Sequence, residues 1–144
     1  MNTQASGKSW NSSRSMLIQA LIIIAVFTAY PLFFNKSYDL TMQNETLVMS
    51  IDSYSEKIPL NTNSSITLLE EFDPGEMIGG GTTRTLSWGD WRSDLYGDYR
   101  LYMYNHTNCW ILLRTTDDLT VVLNCDNAET TRNFCDGIKE LTGK

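Results

Sequence analysis

Histidine is nearly absent from this chain: His106 is the only one. A metal site needs several convergent His, Cys or acidic ligands, and triad chemistry needs a base beside its nucleophile. His106 stands in the turn cluster Asn105-His106-Thr107-Asn108 with no nucleophile placed near it, so it reads as a solvated turn residue. Basic residues are scarce too. The net charge is −6, and the first 15 residues hold Lys8 and Arg14 and no acid, leaving nine basic against 17 acidic residues beyond them. Such a surface is repelled by nucleic acid and by anionic headgroups. No Lys/Arg cluster follows the apolar N-terminal segment, which argues against a polybasic lipid switch. Internal repeats are absent. Hydrophobic residues make up 42% of the chain and aromatic residues 11%, enough to build the core of one domain with attachments.

Residues 1–15 are Ser/Asn-rich and basic and read as a cytoplasmic tail. Residues 16–34 carry no charge over 19 positions, about 28 Å of helix at roughly 1.5 Å per residue. With Lys8 and Arg14 before this run and only Lys36 soon after it, the charge bias predicts a single-pass signal-anchor helix. The N-terminus would be cytoplasmic, and the following domain would face outward from the cell membrane. Tyr30, Phe33 and Phe34 would lie at the far interface. Two other readings stay open, a cleaved signal peptide cut after Ala29 and a buried core helix. Residues 35–37 form a linker.

From residue 38 the period is that of strands. Residues 38–42, 46–51, 54–60, 66–71, 84–88, 99–104, 109–114 and 119–123 read as short strands broken by turn clusters. Asp73-Pro74-Gly75 and Gly79-Gly80-Gly81 mark a long mobile stretch. After Cys125 the period lengthens: Asp126 with Glu129 is a start signal, Phe134, Ile138 and Leu141 form a stripe, and Gly143 supplies the stop, so a helix is expected over about 127–142. The expectation is a mainly β domain, 38–144, of about seven antiparallel strands in a barrel or sandwich, closed by one C-terminal helix.

That layout resembles the bacterial PH-like family, of the pleckstrin-homology superfold, in small membrane-anchored proteins. The resemblance is carried by Lys57-Ile58-Pro59-Leu60, by Gly79-Gly80-Gly81 followed by Arg84, by Gly89-Asp90-Trp91, by Leu101-Tyr102, and by the strand pair and helix of 109–141. It departs from the family in Trp91 where Phe is usual, in the displaced Arg84 and in the three cysteines. It implies no general activity and no cofactor. What it implies is a membrane-anchored binding or scaffolding module with a protein partner, or a homo-oligomer. A lipid or small-ligand sensor using the barrel mouth at Gly79, Gly80, Gly81 and the nearby Trp residues is the alternative.

The residues that bear chemistry are few. Gly79-Gly80-Gly81 leads into a strand rather than into a helix N-terminus, so it is not a phosphate loop but a flexible inter-strand loop. Asp90, Asp94 and Asp98 have four-residue spacing, wrong for a calcium loop, and with Asp117 and Asp118 they read as turn formers on a solvated face. Asn11, Asn35, Asn44, Asn63 and Asn105 head N-x-S/T triplets, which matter only in a eukaryotic secretory pathway. Trp88, Trp91, Tyr96, Tyr99, Tyr102, Tyr104 and Trp110 crowd into 23 positions, for core filling or for binding. Trp88, Trp91 and Trp110 are the candidate binding surface, Trp110 foremost because it faces away from Ile111 and Leu113. A hairpin centred on 116–117 sets Cys109 opposite Asn124 or Cys125, making Cys109 and Cys125 the candidate disulfide. Three buried free thiols, Cys135 among them, is the other reading. Composition and spacing name no reaction, and we read the chain as non-enzymatic.

Overall fold

A computed structural model of the chain describes residues 37–51 and 54–143. The expected tail at 1–15 and membrane span at 16–34 lie outside the described residues, as does all but the end of the linker. Among the described residues no helix is long and apolar enough to cross a membrane.

Asn44 and Glu45 both adopt positive φ, 48° and 61°, which is the two-residue hairpin turn that matches strand twist. It joins β1 (Asp39–Gln43) to β2 (Thr46–Ile51), and β3 (Tyr54–Pro59) completes a three-stranded antiparallel sheet. Six further strands follow: β4 (Ser65–Leu69), β5 (Glu76–Thr82), β6 (Leu86–Ser93), β7 (Gly97–Tyr104), β8 (Trp110–Arg114) and β9 (Thr120–Leu123). They form a second sheet in the order β4-β8-β9-β7-β6-β5. The helix α1 (Ala128–Leu141) ends the fold.

The expectation of a mainly β domain with one C-terminal helix therefore holds, and three finer points are corrected. Among the described residues the strands number nine rather than about seven, and they form two sheets and no closed barrel. One neighbouring pair, β7 with β9, is parallel.

The strand that none of the expected strand segments covers is β5, where the sequence suggested a mobile glycine loop. Its glycines are required by contact. Gly80 and Gly89 pair across β5 and β6 with φ of 114° and 113°, and a Cβ on Gly80 would lie 2.2 Å from the Trp88 carbonyl oxygen. A Cβ on Gly81 would lie 2.5 Å from the Trp88 ring. Glycine here permits close approach of backbone and indole.

The parallel pair has its own cause. β9 lies between β8 and β7, and the buried Asn124 continues its ladder with a side chain. Its Oδ1 accepts from Tyr104 N at 2.7 Å, its Nδ2 donates to Tyr104 O at 3.1 Å, and its N donates to Tyr102 O at 3.1 Å. Tyr38, just before β1, donates its hydroxyl to the Asn124 and Tyr102 carbonyls and so ties the small sheet to this seam.

Alternation puts one core on each face of the large sheet. On the first face Leu86, Tyr102, Ile111, Leu113, Val121 and Leu123 meet Leu47, Met49, Ile51 and Ile58 of the small sheet and Cys135 and Ile138 of α1. On the second face Trp91, Tyr99, Leu101, Leu112 and Val122 are buried beneath partly buried Leu69, Phe72, Tyr96, Met103 and Trp110. The helix is capped by Asn127, whose side chain accepts from Thr130 N at 2.8 Å, so the cap lies one residue beyond the expected Asp126. Glu129 in the first turn and Lys139 in the last suit the helix dipole, and Gly143 at φ 75° provides the expected stop.

Candidate functional site

Inward positions of β3 carry Glu56 and Ile58, an acid on the parity of a buried aliphatic residue. Glu56 is 9% exposed. A buried carboxylate requires partners, and β7 supplies two from one face. Arg100 gives an Nη1 ion pair to Oε1, and the Tyr102 hydroxyl donates to Oε2. The same guanidinium turns its Nε toward Asp90 Oδ1, at 3.6 Å. Arg100 thus has a buried anchor and a solvent-facing partner, with its own side chain 37% exposed.

Beside this cluster is a cavity of about 320 Å³ lined by Gly80, Trp88, Gly89, Asp90, Arg100 and Tyr102. The register explains the lining: Trp88 pairs with Tyr102 and Asp90 with Arg100, two steps apart on one face. Trp88 lies over Gly81, and the glycines leave the recess beside its ring open. The cavity offers one flat apolar wall, a donor fork in Arg100 and an acceptor in Asp90. A second hollow, about 370 Å³, shares Asp90 and Arg100 and continues to Ile78, Arg92, Asp98 and Leu119. Arg92 and Asp98 are paired there at 2.5 and 3.1 Å, and that pairing holds the Asp98 carboxyl below the usual carboxylate range. A third hollow, about 520 Å³, lies among the loops of Asp73, Gly75, Glu76, Asp94 and Leu95. Its one cation is Arg92, already engaged by Asp98, and it has no aromatic wall. The smaller cavity is the better-built site.

The three tryptophans singled out by the sequence do not form one surface. Trp88 lines the cavity on the first face. Trp91 and Trp110 lie on the second, where Trp110 packs against Phe72 with centroids 5.6 Å apart. Trp110 does face away from Ile111 and Leu113, as the alternation required. Both second-face indole N–H groups are buried without a hydrogen-bond partner among the described residues. Glu56, Arg100 and Tyr102 escaped the sequence reading as a site; the charge on the inward parity of β3 was the available signal.

Of the two readings of the cysteines, the structure has the three buried free thiols, Cys109, Cys125 and Cys135, and not the candidate Cys109–Cys125 disulfide. Within the ladder Ile111 pairs with Leu123, which extrapolates to Cys109 opposite Cys125, but β8 begins at Trp110 and β9 ends at Leu123. The two cysteines lie just past the paired segment. There Cys125 is drawn to the helix instead, its N donating to Thr131 Oγ1 at 2.9 Å and its O accepting from Thr107 Oγ1 at 3.1 Å. Burial pushes all three thiols up, Cys125 to about 11, which keeps them protonated near neutrality. His106 is exposed, and its Nε2 lies 2.7 Å from the Asp126 carbonyl. Among the described residues no group of three or more His, Cys, Asp or Glu side chains is placed to hold a metal ion.

Comparison with protein-family models, with curated proteins and with solved structures finds no match for this chain.

Proposed function

We propose that the chain is a non-enzymatic binding module, held at the cell membrane by residues 16–34 with its N-terminus cytoplasmic, and that its binding seat is the cavity at Trp88 and Arg100. The observation that carries this reading is that one cavity is lined together by the Trp88 ring, Arg100 and Asp90, with Arg100 held by Glu56. Trp88 receives an apolar side chain. Arg100, braced from below by Glu56, donates to a main-chain carbonyl, and Asp90 accepts a main-chain N–H. This is the chemistry of an extended protein segment presenting one large side chain. The protonated state of the three thiols supports a role without nucleophilic catalysis, and the acidic balance supports a partner other than nucleic acid. The PH-like element of this reading rests on the sequence motifs alone; the two sheets and the parallel β7–β9 pair depart from a seven-stranded antiparallel barrel. A partner captured by the full chain in detergent should be lost with Trp88→Ala and kept with Trp110→Ala. Equal retention by both variants would sink this assignment. A C-terminal reporter active on one side of the membrane tests the orientation.

The second reading, a small-ligand or lipid sensor, is favoured by one observation: about 320 Å³ is at the lower end of the range of small-molecule pockets. A fluorescent acyl-chain probe that binds the purified chain and is released by Trp88→Ala would move the assignment to that reading.

A further inference from the structure

We propose that the open edge of β3 takes up an extended segment of a partner protein as a fourth strand of the small sheet, a segment with one large apolar side chain flanked by acidic ones. The inference rests on the seat proposed at Trp88 and names how the segment reaches it.

The layers leave a place for one more strand. On the first face of the large sheet, α1 packs on β4 and β8. β1 borders α1, since Tyr38 and Leu40 share a hollow with Thr130 and Phe134. β3 is therefore the edge of the small sheet away from the helix, and among the described residues its outer side is unpaired. Glu56 of β3 stands over Arg100 and Tyr102 of β7. The next strand of the large sheet, again away from the helix, is β6, where Trp88 pairs with Tyr102 and Asp90 with Arg100. A strand added beside β3 takes the same step in the upper layer and lies over the cavity at Trp88.

Register fixes what that strand meets. The two-residue turn at Asn44 and Glu45 makes Gln43 and Thr46 a hydrogen-bonded pair. Alternation then turns the main-chain groups of Leu47, Met49 and Ile51 toward Ile58, Glu56 and Tyr54. Those of Ser55 and Lys57 face the open edge. The pairing of β2 with β3 runs without a bulge, so this parity holds to Pro59, which has no N–H and ends the usable edge. A residue added opposite Glu56 points inward at the cavity. Its own N–H and C=O point away from β3, which leaves them to Asp90 and Arg100. A residue opposite Lys57 points outward, beside an exposed ammonium with no ion pair among the described residues. An acid there is attracted and a base repelled. Lysine and proline commonly guard an edge against indiscriminate pairing. Here Lys57 also selects the occupant. A second copy pairing β3 with β3 brings two Lys57 side chains together. Residues 1–15 of the chain hold Lys8 and Arg14 and no acid. An acidic segment of another protein, added as a strand, is the occupant that fits.

The probe is the peptide acetyl-Thr-Glu-Phe-Glu-Thr-amide, whose palindromic sequence pairs in either direction. It is titrated into the ¹⁵N-labelled full chain in detergent micelles, with amide hydrogen exchange read at each point. At saturation, exchange at Ser55 and Lys57 should slow by about tenfold or more, while Glu56 and Ile58, already bonded to β2, stay as they were. Lys57→Glu should weaken binding by about fivefold or more, because attraction becomes repulsion. Acetyl-Thr-Lys-Phe-Lys-Thr-amide should bind that variant better than the wild type. A peptide that does not bind the wild type, that binds without slowing Ser55 and Lys57, or that is indifferent to the charge at Lys57 would overturn the proposal. Slow exchange at both residues without peptide, increasing with protein concentration, would assign the edge to a second copy and overturn it too. N-acetyl-phenylalaninamide has no strand to add: if it binds at Trp88 while the peptide fails, the seat stands and the edge falls.

Discussion

The two faces of the large sheet are made by alternate residues of the same strands, yet they are built by different means. The first face is closed by elements distant in sequence: the small sheet from the start of the domain and the helix from its end. It holds a buried ion pair and the cavity. The second face is closed locally, by Phe72 and Tyr96 against Tyr99 and Trp110, with the Tyr99 hydroxyl donating to Pro74 O at 2.6 Å. Aliphatic residues from three layers fill the first face. Aromatic rings from two connections, Phe72 after β4 and Tyr96 after β6, cover the second, where two indole N–H groups have no hydrogen-bond partner among the described residues. A sheet roofed by packed secondary structure can hold a charged cluster rigidly enough to shape a recess beside it. A sheet roofed by short connections spends its aromatics on exclusion of water. The proposed binding seat is accordingly on the first face.

The comparison can be broken most sharply by truncation. Leu113→Ala on the first face, at a fully buried position, should cost about 3–4 kcal/mol in denaturant unfolding. Trp110→Leu on the partly buried second face should cost about 1–2 kcal/mol. Equal costs would mean that the loop-covered face is as tightly built as the other. Next is the ion pair. Glu56→Gln leaves the Arg100 guanidinium without its buried partner and should cost about 2–3 kcal/mol, the low end for such a loss because Arg100 keeps some exposure. A cost below measurement would show that Glu56 does not brace the site.

The alkaline limb is a smaller effect. Below pH 9 the Cys125 thiol is protonated in both folded and unfolded chains. Between its ordinary value of 9.0 and the folded value of about 11 the unfolded chain loses this proton and the folded chain keeps it. Stability therefore falls as pH rises through this window, by about 2 kcal/mol from this group once solvent screening is allowed for. Cys109 and Cys135 act in the same direction. Equilibrium unfolding at pH 8 and pH 11 should show the loss, and Cys125→Ala should reduce it. Smallest is the cap: Asn127→Ala removes the bond to Thr130 N and should lower stability by about 1 kcal/mol. No change would place the helix start elsewhere.

Much of this fold was legible in local pattern. The turn at Asn44, the alternation of residues 46–51, the hairpin pairing that sets Ile111 opposite Leu123, and the helix ending at Gly143 all follow from short-range chemistry. What was not legible depends on contacts between distant residues. Gly79, Gly80 and Gly81 read as a loop because a strand of glycines makes sense only once Trp88 and Gly89 press against it. The parallel seam depends on Asn124 reaching Tyr104, which no periodicity announces. The site was half legible. Trp88 was named, but Trp91 was named with it because Gly89-Asp90 read as the end of a strand. That strand in fact runs on as β6 and puts Trp91, three positions away, on the other face. Trp110 was named too because its strand is reached only across a further loop. Arg100 appeared as the polar half of an alternating strand. Only the packing of β3 over β7 gives it Glu56 and turns a solvated cation into a fixed donor.

The central claim is that Trp88, and not its second-face counterparts, meets the ligand. The direct measurement is the indole N–H resonances of the ¹⁵N-tryptophan-labelled full chain in detergent micelles, titrated with N-acetyl-phenylalaninamide. That probe carries one aromatic ring, two carbonyls and the amide N–H groups that Arg100 and Asp90 are placed to bond. The account predicts a saturable shift of the Trp88 resonance with Trp91 and Trp110 unmoved, and loss of the binding in Arg100→Gln. Shifts confined to Trp91 or Trp110, or a Trp88 resonance that stays in place throughout, would contradict it.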